Sequence, residues 1–250
     1  MAGQHKELDH ILYEDAQIIV CRKPAGVATE TKKAGQQDMV SLICNYRHGR
    51  GEEAYAGTVH RLDQPVEGIL VFGKDPKSTA ALSRQLAQGG FSKIYLAVTQ
   101  GSLPEQEGKL QHYLKKDSRT NTSSTAAKGE AGAKKAELYY QVLGTDVSME
   151  PARSLVKIRL LTGRHHQIRV QMAQIGAPLA GDRKYGRQEE ACEDGADGLG
   201  LCACALGFVH PLTKKEMIFR IAPSQAVFQK FGLDSKKWQE SGAVYLHNNI

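Results

Sequence analysis

The 250-residue sequence predicts an α+β fold, in which a mainly antiparallel mixed sheet is flanked by helices. Strand-like segments outnumber helix-like segments along the chain, and many of the turns between them are short. The helix-like segments carry start and stop signals that separate them from the neighbouring strands. Together these observations favour hairpins and short connections over a doubly wound parallel sheet.

The predicted strands are short apolar or alternating segments, most of them bounded by turn residues. They cover residues 18–26, 67–74, 91–99, 137–144, 154–161, 201–209 and 217–222. Within residues 91–99, Lys93, Tyr95 and Ala97 alternate with another set of side chains, and we expect them to form the more polar face. Residues 115–136 are rich in Ser, Thr, Ala, Gly and Lys, which indicates a mobile or hairpin-like excursion.

Two predicted helices have clear first residues. Asp38 is placed to cap a helix that stops at Gly49. Asp75, followed by Pro76, starts a second helix that ends at the next Gly pair, Gly89 and Gly90. A short helix near the carboxyl end carries Val227, Phe228 and Phe231.

Residues 164–176 predict a further helix that ends at Gly176. Its expected buried stripe consists of Ile168, Met172 and Ile175. On such a helix His165 and Arg169 lie four residues apart and share one face. His165 and His166 diverge by roughly 100°, so we do not expect them to bind one metal ion.

The bulk composition excludes several classes of protein. Hydrophobic residues make up 41% and charged residues 24%, as in ordinary globular domains. The apolar runs are too short to span a membrane, and the first residues do not resemble a signal peptide. We therefore expect a cytoplasmic protein without membrane contact, and a monomer.

The cysteines argue against a disulfide framework. Their number, five, is odd, and no Cys-x-x-Cys pair occurs. Cys202 and Cys204 are expected on one face of a strand, and a zinc site that adds Cys192 lacks the usual spacing. Neither a metal nor a nucleotide cofactor is predicted, since Gly-x-Gly-x-x-Gly, Walker-type and Gly-x-Ser-x-Gly motifs are missing.

The net charge of +6, from 33 basic and 27 acidic residues, favours a polyanionic partner. The polar residues left as candidates for chemistry are Arg61, Asp63, Tyr95 and Arg169. Pro65 restricts the residue before it, so the turn after Asp63 is stiff. Such a turn suits a catalytic carboxylate, and equally a carboxylate that only accepts backbone hydrogen bonds.

Motifs in a fixed order carry a family resemblance. "HRLDQPVEGILVFGK" closely resembles the signature of the RluA-type RNA pseudouridine synthases. "YEDAQIIVCRKPAG" precedes it, and "KIYLAVTQG", "TGRHHQIRVQMAQIGAPLAGDRKYG" and "LGFVHPLTKKEMIF" follow it, as in that family. Since the motifs cover nearly the whole chain, the resemblance is specific.

The resemblance implies the pseudouridine synthase fold, with two lobes around a central cleft, and isomerisation of uridine in RNA without metal or cofactor. Asp63 is then the catalytic carboxylate, Tyr95 packs on the base and takes part in proton transfer at C5, and Arg169 pairs with Asp63. Arg61 lies beside the flipped nucleotide. Further residues expected to contact substrate or RNA are His60, Lys93, Arg164, His166, Gln167 and Ile168.

The resemblance also implies a substrate and a domain organisation. Structured RNA is the expected partner, rRNA or else tRNA. Residues 1–235 are expected to form a single catalytic domain, with 236–250 as a tail and without the small S4-like RNA-binding domain of many relatives. Substrate choice would then depend on loops, such as 115–136 and 188–198.

The sequence departs from the commonest family pattern in three places. "QPVEG" stands where many relatives have a charged residue followed by Asp-Thr-Ser-Gly, Gln171 where a His is frequent, and Cys202 within an element that often reads Leu-His-Ala. Two alternatives remain open. One is a catalytically idle RNA-binding protein or chaperone on the same fold, and the other is a hydrolase that uses His60 and Asp63.

Overall fold

The computed structural model describes residues 10–31, 35–101, 103–186 and 198–232. The chain divides into two compact units, one formed by residues up to Ser92 and Ala205–Ile221, the other by Lys93–Cys204 and the residues from Ala222 onward. The acidic cluster within 189–197, Cys192 and the predicted tail lie outside the described residues. The predicted single domain over 1–235 stays a prediction.

The first unit contains a sheet with strand order β1-β2-β4-β10, where β3 also pairs with β4 and β11 with β10. The pairs β1–β2, β2–β4, β3–β4 and β10–β11 are antiparallel. Its elements are β1 (Ile11–Glu14), β2 (Ile18–Lys23), α1 (Met39–Gly49), β3 (Gly57–Thr58), β4 (Glu67–Gly73), α2 (Pro76–Ala87), the second half of β10 (Leu201–Val209) and β11 (Glu216–Arg220).

The centre of the first unit is the pair β2–β4. Every residue of β4 is buried, as its unbroken apolar sequence predicts. Strands β3 and β4 pair through Gly57 and Gly73, and a Cβ on either glycine would lie within 2.2 Å of the Thr79 hydroxyl oxygen. The two glycines, on the strands before and after residues 59–66, therefore let α2 approach the sheet closely.

The second unit has the strand order β10-β5-β9-β8-β6-β7. The pairs β5–β9, β8–β9, β6–β8 and β6–β7 are antiparallel. Its elements are β5 (Ser92–Gln100), β6 (Glu107–Asp117), β7 (Thr122–Ala126), β8 (Lys134–Asp146), β9 (Arg153–Leu160), α3 (Gln167–Gln174), the first half of β10 and α4 (Ala226–Gln229). The segment 115–136 thus contains the β6–β7 hairpin and the start of β8, in agreement with the second of its two predicted forms.

The α+β class and the antiparallel pairing are confirmed, and so are most of the predicted elements. Helix α1 begins at a capping box in which Asp38 accepts from the backbone of Ser41, and the Ser41 hydroxyl accepts from Asp38. Helix α2 begins after Asp75 with Pro76 in its first turn. These predictions succeed because the capping hydrogen bonds are local in sequence.

The helix predicted from residue 164 is shorter than expected. It begins at Gln167, because His166 has left-handed backbone angles (φ 53°, ψ 25°) and the preceding residues form a turn. His165 therefore lies outside the helix, so the expected common face with Arg169 is wrong. Of the predicted stripe, Ile168 and Met172 are buried, whereas Ile175 is only half-buried.

Strand β5 also differs from its prediction. From Ile94 to Gln100 both of its faces are buried, so Tyr95 and Ala97 do not lie on a polar surface. Cys202 and Cys204 are both buried two residues apart on β10, on one face as predicted. Within the described ranges, no helix combines the length and the apolar character needed to cross a bilayer.

The cap of α2 gives a prediction about stability. The Asp75 carboxylate accepts from the Ser78 backbone at 2.8 Å. We expect Asp75→Ala to lower the free energy of unfolding by about 1 kcal/mol, because the Ser78 N–H loses its acceptor. Asp75→Asn keeps an oxygen at that position and is expected to cost less. Equal losses in urea unfolding experiments would contradict the assigned cap.

Candidate active site

The loop between β3 and β4, residues 59–66, carries Asp63. The loop is held against residues 23–29 by backbone contacts. The Thr29 hydroxyl donates to the Leu62 carbonyl and accepts from the Leu62 N–H, both at 3.1 Å. Gly26 donates to the Gln64 carbonyl at 2.9 Å, and Val66 donates back to the Asp63 carbonyl at 3.0 Å. The half-buried Asp63 therefore lies in a turn that is fixed on both sides.

Lys23, at the end of β2, is fully buried below this turn. Its ammonium group donates to the carbonyls of Pro24 (2.9 Å), Val27 (2.7 Å) and Gln64 (3.0 Å). Burial lowers the pKa of Lys23 to about 8, and the charge of Asp63 opposes that shift. The Asp63 carboxylate thus lies within the electrostatic reach of a buried cation.

Two predicted RNA-contact residues precede Asp63. Arg61 is exposed, as a residue that meets a displaced nucleotide must be. His60 is half-buried, its ring meets Phe91 edge-on at 5.9 Å, and its Nε2 accepts from the Val71 N–H at 3.4 Å. An accepting Nε2 belongs to a neutral ring, so His60 supports the loop without offering a positive charge.

Glu67, the first residue of β4, belongs to the variant part of the motif. Its carboxylate is almost fully buried and receives a hydrogen bond from Arg22 at 2.8 Å. Its charge, like that of Asp63, raises the pKa of Lys23 against the effect of burial. Buried charges of both signs therefore lie together behind the turn.

In the second unit, Tyr95 is buried on β5, opposite Ile158 of β9. Lys93 lies two residues earlier on the same face, and burial lowers its pKa. The Lys93 ammonium lies close to Gly163, at van der Waals distance from where a Cβ would be. These two residues of the predicted site share one surface of the strand.

The turn before α3 is held by Gln167. Its side-chain oxygen accepts from the Thr162 hydroxyl at 2.7 Å and from the Arg164 N–H at 3.0 Å. Its side-chain nitrogen donates to the Glu137 carbonyl at 3.0 Å, while Arg164 Nε donates to the Lys135 carbonyl at 2.9 Å. Arg164 and Gln167, both predicted to contact RNA, therefore hold the turn against β8 by hydrogen bonds.

Arg169, on α3 beside the buried Ile168, is held by Asp182. Its Nε and Nη2 donate to the two carboxylate oxygens at 2.7 and 2.6 Å, and both side chains are buried. The same carboxylate accepts from the backbone of Lys184 and Tyr185. A planar bidentate pair fixes the guanidinium orientation in a way that lysine would not.

A chain of contacts leads from Arg169 to β7. The Arg169 guanidinium lies 5.1 Å from the centre of the Tyr185 ring. The Tyr185 hydroxyl accepts from the Ser123 N–H at 2.8 Å and lies 2.6 Å from His166 Nδ1. Burial and nearby cations lower the His166 pKa to about 3, so the ring is neutral and makes this hydrogen bond to Tyr185 without carrying a positive charge.

The structure therefore assembles the predicted site residues in two groups. Asp63, Arg61 and His60 lie in the first unit, and the remaining ones lie in the second. The pairing of Arg169 with Asp63 stays a prediction. Three residues that sequence reasoning missed support the groups, namely Lys23, Asp182 and Tyr185. These residues lie in the Lys-Pro-Ala-Gly turn and in the Gly-Asp-x-x-Tyr-Gly segment, but the sequence motifs alone do not reveal which residues they contact.

Comparison with known proteins identifies the family. Residues 17–174 match the model of the RNA pseudouridylate synthases. The chain is 34% identical to the RNA pseudouridine synthase YhcT of Bacillus subtilis over 89% of this chain and 70% of that protein. It is 33% identical to ribosomal large subunit pseudouridine synthase D of Zymomonas mobilis over 84% and 67%.

The chain belongs to the RNA pseudouridine synthase family. The synthase also shares its fold with human RNA pseudouridylate synthase domain containing 4, with a TM-score of 0.71 at 19% identity over 90% of this chain and 94% of the other. Domain containing 1 of the same human group gives 0.69 at 23% identity over 90% and 86%. The predicted family, fold and isomerase class are confirmed.

The synthase gives a pH prediction through Lys23. Its amine has a pKa of about 8 in the folded protein, whereas an unfolded lysine titrates near 10.4. Between these values the unfolded state binds more protons, so stability rises with pH. We expect the free energy of unfolding to rise in the wild type relative to Lys23→Met, by about 1–3 kcal/mol from about pH 7.5 to 10.

Urea unfolding at several pH values measures this difference. The same substitution at the exposed Lys128 is the control for general effects of losing a lysine. A difference between wild type and Lys23→Met that stays constant or falls with pH would contradict the buried cation.

The Arg169–Asp182 pair gives a second prediction. Asp182→Asn places an N–H group opposite guanidinium donors, so we expect the free energy of unfolding to fall by about 3 kcal/mol. Arg183→Gln, at the exposed neighbouring residue, is the control, with a change within about 0.5 kcal/mol. Similar losses in both variants would show that the buried pair does not stabilise this region.

Proposed function

We propose that this synthase isomerises uridines in large-subunit rRNA, with Asp63 as its catalytic carboxylate. The rRNA substrate is supported by relatives that are named ribosomal large subunit pseudouridine synthases. The catalytic role of Asp63 is supported by its position in a turn that is held by hydrogen bonds on both sides. The charge of Lys23 acts electrostatically on its carboxylate. A carboxylate that must meet one carbon atom of a nucleotide needs such a rigid support.

Asp63 acts at the ribose. The bond between uracil N1 and ribose C1′ breaks, the base rotates, and C5 bonds to C1′. An ionised carboxylate can attack C1′, or it can remove the C2′ proton in a route through a glycal. A positive environment favours the ionised form, and the Lys23 ammonium contributes to that environment.

Tyr95 acts at the base. After C5 has bonded to C1′, its proton must leave, and N1 must gain one. The Tyr95 hydroxyl accepts the C5 proton or orients a water that does. Its burial on β5 holds the ring where a planar base can pack on it.

Arg61 and Arg169 complete the proposed site. The exposed Arg61 stabilises the nucleotide that is displaced when the target uridine flips out of paired RNA, a step that costs a few kcal/mol. Arg169 supplies a guanidinium whose orientation is fixed by Asp182. The net charge of +6 supports binding of the phosphate backbone.

Loss of the carboxylate tests this proposal. RNA labelled with tritium at uridine C5 releases tritium when pseudouridine forms. We expect Asp63→Asn to lower the release rate by roughly 10²–10⁴-fold or more, because the amide can neither attack C1′ nor remove a proton. RNA binding, measured on filters, is expected to persist.

The matched control is Glu53→Gln, which neutralises an exposed carboxylate of the same unit and should leave release unchanged. Release by Asp63→Asn at the wild-type rate would exclude a catalytic role for Asp63. Release from tRNA but not from an unmodified large-subunit rRNA transcript would overturn the proposed substrate, and wild-type binding without release from either would favour the idle RNA-binding protein.

A further inference from the structure

A cluster of donors lies beside the turn that precedes α3. The His165 and His166 rings stack with their centres 3.8 Å apart, and His165 Nδ1 lies 2.9 Å from the Ser123 hydroxyl. Lys116 of β6 is the cross-strand partner of Ser123, so the two side chains share one face of the hairpin. The Lys184 ammonium donates to the carbonyl of Asn121 at 2.8 Å, at the tip of the same hairpin.

The face that carries Lys116 is directed toward α3. Leu114, two residues earlier on β6, packs in a buried cluster with Val170 of α3. Because alternate residues of a strand share a face, Lys116 continues that surface beyond the edge of the cluster. Lys116 and Lys184 are both exposed, and both lower the pKa of His165 by their charge.

The cluster carries excess positive charge. The carboxylate of Asp182 is engaged by Arg169 and by two backbone N–H groups. Among the residues that the structure describes, neither Lys116 nor Lys184 forms an ion pair, in contrast to Lys115, which pairs with Glu130 at 3.0 Å. Desolvation and the neighbouring cations keep His165 neutral by lowering its pKa to about 4, and a neutral imidazole can still donate one hydrogen bond.

We propose that Lys116, Lys184 and His165 bind one backbone phosphate of the substrate RNA. Two ammonium groups and an imidazole N–H match the charge and the several acceptor oxygens of a phosphodiester. The network from Ser123 through Tyr185 to Arg169 connects this phosphate to the predicted catalytic arginine by direct contacts. The inference rests on RNA as the substrate, and it deepens the proposed function by assigning residues that fix the RNA register.

The salt dependence of RNA binding tests the site. The probe is an unmodified transcript of large-subunit rRNA, and the slope of log Kobs against log salt concentration counts neutralised phosphates. We expect the double variant Lys116→Gln/Lys184→Gln to reduce the slope by about 0.7–0.9, the value for one phosphate. Lys115→Gln removes the same charge from the opposite face of β6 and should leave the slope unchanged.

The variants also separate binding from chemistry in the tritium assay. Each single variant is expected to raise KM by up to about fivefold, with kcat nearly constant. An unchanged slope in the double variant would overturn the site, as would a loss of about 1.4–1.8, which would mean two separate phosphates.

Failure of this inference is distinguishable from failure of the proposed function. If the double variant shows the expected change in slope but the wild type releases no tritium, the phosphate site stands and the assigned reaction fails. If tritium is released while the Lys116 and Lys184 variants behave like Lys115→Gln in both assays, the reaction stands and the phosphate site fails.

Discussion

A buried ammonium group with three carbonyl acceptors holds the turn that carries Asp63. Lys23 uses its three N–H groups on the carbonyls of Pro24, Val27 and Gln64, and so connects the end of β2 to the turn before β4. A charge in this position is expensive unless its hydrogen bonds are complete. That completeness makes the turn rigid, since any shift of Gln64 would leave a buried donor unmatched. The position of Asp63 follows from this constraint.

In the second unit, too, a buried cation is held by hydrogen bonds, but its partner is a carboxylate in place of backbone carbonyls. Arg169 is buried and oriented by a carboxylate, and Asp182 is itself held by backbone N–H groups of the next turn. In both units, a charged residue proposed for catalysis is positioned by hydrogen bonds that lead, directly or through one side chain, to backbone groups. Desolvated and hydrogen-bonded partners of this kind reduce the reorganisation that the reaction requires.

The sequence predicted the elements whose signals are local, and the structure explains why other features escaped. Caps at Asp38 and Asp75 depend on neighbours three residues away, so they could be read directly. The start of α3 could not be predicted in this way, because the left-handed His166 is hydrogen-bonded to Tyr185, nineteen residues later. The motifs identified the family and named the proposed catalytic residues. The contact of Lys23 with Gln64 joins residues 41 apart, which neither periodicity nor spacing can reveal.

The variant "QPVEG" acquires a physical meaning from this arrangement. Glu67 stands where many relatives have a serine, and a buried carboxylate in that place needs a counter-charge. Arg22 supplies it from β2, directly before Lys23. Two cations and the carboxylates of Glu67 and Asp63 therefore nearly balance behind the turn. Neutralising Glu67 alone would leave Arg22 and Lys23 in excess, so Glu67 contributes to the charge balance around Asp63. The departure from the common motif therefore adds a buried carboxylate, paired with Arg22, to the electrostatic support of the proposed carboxylate.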